Sequence, residues 1–204
     1  MTVLAVFEVL GVLAFAASGI IEAARKRLDV FGVVLIAAIT AFGGGTLRDV
    51  LLGNKTFFWV QHEELVWAII AIGVVTPLFF RARHIEITQR AIEWPDAVGL
   101  GLFATSGAQL ALDKGFSPLV AALMAVVTTV FGGIIRDVLV NEIPRAVNDH
   151  QPYALFAFGG AWLMWGLEQF GVEDFVAVLS TAAVIILVRF LAIIFKWKLP
   201  AWRL

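Results

Sequence analysis

Apolar residues form seven long runs along the chain, separated by short polar segments. The runs cover positions 3–24, 31–52, 65–80, 95–112, 118–140, 153–167 and 172–195. A hydrocarbon core of roughly 30 Å is crossed by about 20 helical residues. The runs are continuous rather than alternating, which favours helices over the strands of a barrel. The pattern therefore predicts an all-α integral membrane protein with seven transmembrane helices.

Composition supports a membrane protein and narrows its function. Hydrophobic residues make up 61% of the 204 positions and charged residues 15%, against roughly 45–50% apolar residues in an average soluble domain. The formal net charge of −1 offers no basic surface for nucleic acid. Cysteine is absent, which excludes disulfides and thiolate metal sites. The first run lacks a preceding basic region, so we expect a retained span rather than a signal peptide.

The chain also repeats itself at an offset of 88 residues, and FGGGTLRDVL at 42–51 is followed by FGGIIRDVL at 131–139. The matched polar and glycine pairs are Glu8 with Asp96, Ser18 with Ser106, Gly19 with Gly107, Thr40 with Thr128, Gly44 with Gly132, Gly45 with Gly133, Arg48 with Arg136 and Asp49 with Asp137. Hydrophobic composition alone would not align these residues in one register, so we expect an internal duplication. We expect one membrane domain over 1–204, with repeat one at 3–80, repeat two at 92–168 and a seventh helix at 172–195.

Loop charges predict how the two copies are oriented. Three helices per copy would place the second copy upside down, as an inverted 3+3 repeat. The first, third and fifth loops and the tail hold ten Lys and Arg residues: Arg25, Lys26, Arg27, Arg81, Arg83, Arg90, Arg145, Lys196, Lys198 and Arg203. The other loops hold only Lys55 and Lys114. The positive-inside rule then places the N-terminus outside and the C-terminus in the cytoplasm of a multi-pass inner (plasma) membrane protein.

Three arginines remain inside the apolar runs. Arg189 is near the end of the seventh run, and we expect its long side chain to snorkel to the interface. Arg48 and Arg136 are each followed by an aspartate, and adjacent helical residues point about 100° apart. We therefore expect partners on other helices, such as Asp137 for Arg48. Either these groups form structural salt bridges between the halves, or they line or gate a hydrated path.

Glycines just before the two arginines predict an irregularity in the second and fifth helices. The positions are Gly43, Gly44 and Gly45 in the second run and Gly132 and Gly133 in the fifth. Glycine permits a kink or an unwound turn, which would free carbonyl groups to coordinate a cation near mid-membrane. The alternative is that the glycines only allow two helices to pack closely.

Hydroxyl and acidic side chains complete the candidate site. Ser18, Ser106, Thr40 and Thr128 are candidate neutral oxygen ligands, although such hydroxyls often bond to their own helix backbone. Glu8 and Asp96 either attract cations at the two pore mouths or stabilise helix N-termini. His62, His84 and His150 fall in predicted loops, so neither a hydrolytic site nor a metal site is expected.

Two three-helix units carrying GGGTLRD and FGGIIRD, followed by a seventh helix, resemble the prokaryotic members of the trimeric intracellular cation channel family. The bacterial domain of that family is also called a glycine-transporter domain. The resemblance covers essentially the whole chain. It implies a homotrimer with a pore in each protomer, through the six repeat helices, conducting potassium and other monovalent cations such as sodium without a cofactor.

Carried to this sequence, the resemblance makes the five glycines the kink positions of the second and fifth helices. It places Arg48, Asp49, Arg136 and Asp137 beside the pore, with Ser18 and Ser106 as lining groups. The lysine-containing lipid motif of the animal channels is absent here, so phosphoinositide regulation is not implied. A secondary transporter for a small neutral amino acid such as glycine is the alternative function, and a structural membrane scaffold is a third.

Overall fold

The computed structural model describes residues 3–79, 89–148 and 151–200, without the side chains of residues 89 and 90. The helices in these residues are α1 (Val3–Arg25), α2 (Val30–Leu51), α3 (Phe58–Gln61), α4 (Glu63–Phe79), α5 (Gln89–Asp113), α6 (Pro118–Leu139), α7 (Arg145–Asn148), α8 (Tyr153–Gln169) and α9 (Asp174–Phe195). No strand occurs in the described part of the chain. The predictions for Arg81, Arg83, His84, His150 and Arg203, and for the Arg90 side chain, lie outside the described residues.

The seven longer helices correspond to the seven apolar runs. By length and hydropathy, α1, α2, α6 and α9 are long and apolar enough to cross a membrane. Helices α4 and α8 have 17 residues each. The largest difference in bounds is in α5, which begins at Gln89 and carries Pro95 inside the helix, whereas the apolar pattern began only at that proline.

Local backbone signals recur at the same 88-residue offset. Asp29 caps α2 by accepting a bond from a backbone N–H three residues on, and Ser117 does the same for α6. The left-handed turn residue Gly53 after α2 is matched by Asn141 after α6. The two copies therefore share their turns and caps as well as their charged pairs.

Equivalent helices of the two copies pack against each other in antiparallel order, α1 on α5 and α2 on α6. Gly11 lies against the Phe103 ring and Gly99 against the Phe15 ring, and the two ring centroids are 5.1 Å apart. Helices α4 and α8 pack on the outside of this four-helix core, against α2 and α6 respectively, and α9 packs on α5 and α8. The core helices therefore position the charged pairs.

The glycines of α2 and α6 lie where these helices cross. Both helices continue through them, so the unwound turn expected there is absent and no carbonyl is freed. A methyl group on Gly44 would overlap the Thr128 carbonyl, and one on Gly132 would overlap the Thr40 carbonyl. Close packing, the alternative considered above, accounts for these two glycines. Continuous helices also keep their backbone groups satisfied in lipid.

Candidate functional site

Two buried clusters of charge form where α1 meets α2 and where α5 meets α6. The first cluster consists of Glu8, Arg48 and Asp49, and the second cluster consists of Asp96, Arg136 and Asp137. All six residues are buried, with exposed fractions of 8% or less. Each arginine thus has two carboxylates in contact, and each cluster has a formal charge of −1.

In the first cluster, the Arg48 guanidinium contacts carboxylates on two helices. Its Nη1 donates to Glu8 Oε1, and its Nη2 lies 3.3 Å from Glu8 Oε2. Its Nε and Nη2 donate to Asp49 Oδ1 at 2.9 and 2.7 Å. The Asp49 carboxylate also accepts bonds from the Asn54 amide at 2.8 Å and the Phe58 backbone N–H at 3.2 Å. This aspartate therefore holds the short helix α3 beside the arginine.

The second cluster repeats this pattern and adds a hydroxyl from the other copy. Arg136 Nε donates to Asp137 Oδ1 at 2.8 Å, and Nη1 reaches Asp96 Oδ1 at 3.2 Å. Arg136 Nη1 also donates to Ser18 Oγ on α1 at 2.7 Å. Asp137 accepts a bond from the Arg145 backbone N–H at 2.9 Å, so it holds α7 as Asp49 holds α3.

The expected pairing of Arg48 with Asp137 across the repeats is wrong. Each arginine pairs with the aspartate beside it in sequence and with the acidic residue of the first helix in its own copy. The predicted partners on other helices do exist, Glu8 for Arg48 and Asp96 for Arg136. The 100° separation did not exclude the adjacent aspartate, because it describes only where each side chain leaves the helix. A long guanidinium side chain extends far enough to reach a neighbouring carboxylate.

Glu8 and Asp96 are buried counter-ions of the two arginines, with exposed fractions of 4% and 8%. Their attraction of cations at the pore mouths stays a prediction. Among the hydroxyls, Thr40 and Thr128 each bond to the carbonyl four residues back at 2.6 Å. Ser106 likewise faces a carbonyl of its own helix, at 3.4 Å. Of the four predicted hydroxyl ligands, Ser18 alone contacts a cluster.

Cavities of very different size adjoin the two clusters. A large vestibule of about 490 Å³ reaches the first cluster and is also lined by Lys55, Phe58 and Leu110. A small cavity of about 30 Å³ adjoins the second cluster and is also lined by Ala146 and Arg189. The small cavity has room for little more than one water molecule.

An ionic seal, made of Glu22, Arg25, Lys26, Glu142 and Arg145, lies on the side of the second cluster. Glu22 accepts bonds from Arg25 and Arg145, both at 2.6 Å. Glu142 accepts from Lys26 at 2.5 Å and Arg25 at 3.1 Å, and these cations hold the pKa of its carboxyl below its usual range. The seal joins the end of α1 to the segment after α6. Its cations were predicted only to set the orientation in the membrane, and its two glutamates carried no predicted role.

Arg189 differs from its prediction. It is 5% exposed and does not snorkel to the interface. Its guanidinium carbon lies 5.1 Å from the centre of the Tyr153 ring, and Tyr153 lines the small cavity together with Asp96. Tyr153 was not a candidate either, because only the packing of α8 against α5 and α9 brings it to the second cluster.

The described residues contain no group of three or more His, Cys, Asp and Glu side chains that could hold a metal ion. The site is thus built from ion pairs, a serine and two cavities.

Comparison with known proteins places this architecture in a family. The family model described as "Glycine transporter" matches residues 5–81 and 93–169. A TRIC trimeric intracellular cation channel orthologue from Rhodobacter sphaeroides has 36% sequence identity and a TM-score of 0.88, with coverage of 97% of this chain and 100% of that chain. The chain belongs to the TRIC family.

Other TRIC-family relatives cover nearly the same length. A UPF0126 membrane protein of Vibrio cholerae is 34% identical over 100% of this chain and 84% of the relative. The UPF0126 inner membrane protein YadS of Escherichia coli is 34% identical over 97% and 95%. A second structure, solved for conductance through TRIC cation channels, has 31% identity and a TM-score of 0.84, and covers 100% of this chain and 98% of its own. This TRIC-family chain is therefore a membrane protein, and its solved relatives are ion channels rather than enzymes.

Proposed function

We propose that this protein is a channel for monovalent cations, chiefly potassium, with a pathway in each protomer between α1, α2, α5 and α6. Its similarity to TRIC cation channels supports this function and does not favour the glycine carrier. The observation that carries the proposal is the charge of the first cluster, which lines the large vestibule. It has two carboxylates and one guanidinium, so its net negative charge favours cations over anions at that end of the path.

The pathway follows from an inverted arrangement of seven spans. Antiparallel packing of α1 on α5 supports an upside-down second copy, and the loop charges support an external N-terminus and a cytoplasmic C-terminus. The large vestibule then opens to the outside, and the ionic seal lies at the cytoplasmic side. The described conformation would be open at its outer end and closed at its inner end.

Conduction requires the second cluster to separate from α1. Arg136 bridges the path by donating to Ser18, so a cation passes only when that bond breaks and the guanidinium moves aside. The glycine crossing of α2 and α6 allows a small bend or slide, because no side chain intervenes there. In the open state Ser18 and the carboxylates of both clusters would replace part of the hydration of the ion.

Assembly as a homotrimer surrounded by lipid is part of the proposal, on the basis of the trimeric solved relative. Cross-linking of the purified protein in detergent and in liposomes should give a ladder that ends at three chains. A ladder that ends at one or two chains would overturn the trimer without touching the channel.

The function is tested with purified protein in planar bilayers under a potassium chloride gradient. We expect unitary currents whose reversal potential lies near the potassium equilibrium potential. Proteoliposomes from the same preparation are assayed for uptake of labelled glycine, and empty liposomes are the control. Saturable glycine uptake without unitary current would overturn the channel in favour of a carrier. Silence in both assays would leave a structural scaffold.

A further inference from the structure

The seventh long helix, α9, lies outside both repeats and yet places a cation next to one cluster only. Arg189 is 5% exposed, and its Nε and Nη1 atoms have no hydrogen-bond partner among the described residues. A buried guanidinium with unused donors is costly in an apolar helix, and ionisable groups inside spans generally serve the function. This position therefore needs an explanation beyond anchoring α9.

Tyr153 connects Arg189 to the second cluster. Arg189 lies over its ring at 5.1 Å, a favourable cation–π distance. Tyr153 and Asp96 line the same small cavity and interact electrostatically. Asp96 also accepts from both Arg136 and Ser18 at 3.2 Å. Arg189 and Tyr153 thus line the same cavity as Asp96 and Arg136, next to the bond that closes the path.

The first cluster has no such connection. The residue 88 positions before Tyr153 is Leu65, a buried apolar side chain that offers no hydrogen-bond donor to Glu8. No equivalent of α9 exists for the first copy within the described residues. The two sides therefore differ at the position of Tyr153 and in the presence of α9.

We infer that Tyr153 and Arg189 are positioning residues that hold Asp96 so that Arg136 stays bonded to Ser18. Through them, α9 and α8 stabilise the closed form of the second cluster. Without the tyrosine hydroxyl or the arginine, the Asp96 carboxylate is held only by its bonds from Arg136 and Ser18, and Arg136 leaves Ser18 more often. This inference rests on the proposed channel function and adds the residues that set its opening.

Single-channel recordings of three variants test the inference. Tyr153→Phe removes one oxygen atom and keeps the ring, so it carries little risk of misfolding. We expect Tyr153→Phe and Arg189→Gln each to raise the open probability about tenfold, as the loss of a hydrogen bond to a charged group would. The unitary conductance should not change, because neither side chain contacts the ion. Arg189→Lys retains the cation over the ring, so its open probability should stay within about twofold of the original.

The controls separate positioning from a general effect. Lys198→Gln removes an exposed cation just beyond α9 and should not alter gating. The double variant Tyr153→Phe with Arg189→Gln should open no more often than either single variant, because both act through Asp96. If the unsubstituted protein gives normal currents, an unchanged or lowered open probability in Tyr153→Phe would overturn this inference alone. Absence of current in the original protein would overturn the proposed function and the inference with it.

Discussion

Arg48 in the first cluster and Arg136 in the second make the same bonds to the aspartate that follows them and to an acidic residue 40 positions before them. Their surroundings differ. Leu110 lines the large vestibule on the first side, and its repeat mate on the second side is Glu22, which is fully buried in the ionic seal.

Other residues related by the 88-residue offset also differ in charge between the two copies. Arg25 of the seal corresponds to Asp113, and Glu142 corresponds to Asn54. On the first side, the end of α5 meets the segment after α2 through a single bond, from Lys114 to the Leu52 carbonyl at 3.1 Å. Duplication thus conserves the clusters, whereas substitutions around them determine which side is sealed. A pathway that is open at one end and closed at the other needs this difference between the two sides, because two identical gates would open and close alike.

The glycine crossing of α2 and α6 is the same on both sides. Substitutions that disrupt this crossing should have the largest effect on the folded protein. Gly44→Leu and Gly132→Leu each place a side chain where even a methyl group overlaps the opposite backbone. We expect both variants to lose most of the folded protein, since overpacking costs about 3 kcal/mol or more at a rigid backbone contact. Size-exclusion chromatography and thermal unfolding in detergent provide the measurement.

Gly159→Leu is the matched control for the crossing, because that helical glycine has no atom near its Cβ position. It should fold like the original protein. Normal folding of Gly44→Leu would mean that α2 and α6 do not cross as described.

The next largest loss of stability should come from substitutions of the acidic counter-ions Glu8 and Asp96, and it should differ between the two clusters. Glu8→Gln leaves Arg48 with Asp49 as its only carboxylate partner, and breaking a buried pair costs about 3–5 kcal/mol. Asp96→Asn should cost less, because Arg136 keeps the Ser18 hydroxyl as well as Asp137. Thermal unfolding of the two variants side by side checks the order. A larger loss in Asp96→Asn would show that the serine does not compensate.

The sequence predicted the fold and part of the site for physical reasons. Seven apolar runs and the alignment of Glu8 with Asp96 were visible, because membrane spans and duplicated charges leave a strong pattern. The unwound turn at the glycines was wrong because a helical glycine costs only about 1 kcal/mol, less than an unsatisfied backbone group in lipid. A kink at these glycines stays a prediction. Glycine composition alone did not distinguish a break from a close crossing.

The seal and Arg189 were missed for another reason. Glu22 and Arg145 lie 123 residues apart in sequence and meet only because α1 and α7 fold to the same side. Arg189 was assigned to the interface because its distance from Lys196 along the helix says nothing about which way its side chain points. One signal was available, since Glu22 is an acidic residue within an apolar run.

A smaller difference, in the reactivity of introduced cysteines, should show which of the two cavities is accessible to water. The chain contains no cysteine, so single cysteines can be introduced at the mated positions Phe58, beside the large vestibule, and Ala146, beside the small cavity. Phe58→Cys should react with a water-soluble thiol reagent at least about tenfold faster than Ala146→Cys, since reaction requires an accessible thiolate. The cysteine-free parent is the control. Equal rates would contradict the difference in access.

The smallest effect should come from weakening the ionic seal at its exposed edge. Glu142→Gln removes the negative charge that pairs with Lys26 and Arg25, and the exposed position limits the change in open probability to about threefold. Asn54→Ala, at the equivalent position on the first side, should not release the seal.

Because the cations lower the pKa of Glu142, the contribution of its carboxylate to the seal is complete above the ordinary pKa of 4.5 and is lost as the pH falls through the lowered value. Potassium currents should therefore be insensitive to cytoplasmic pH near neutrality, and acidification below pH 4.5 should raise the open probability of the original protein toward that of Glu142→Gln. A response of the same size near neutral pH would assign the sensitivity to another group.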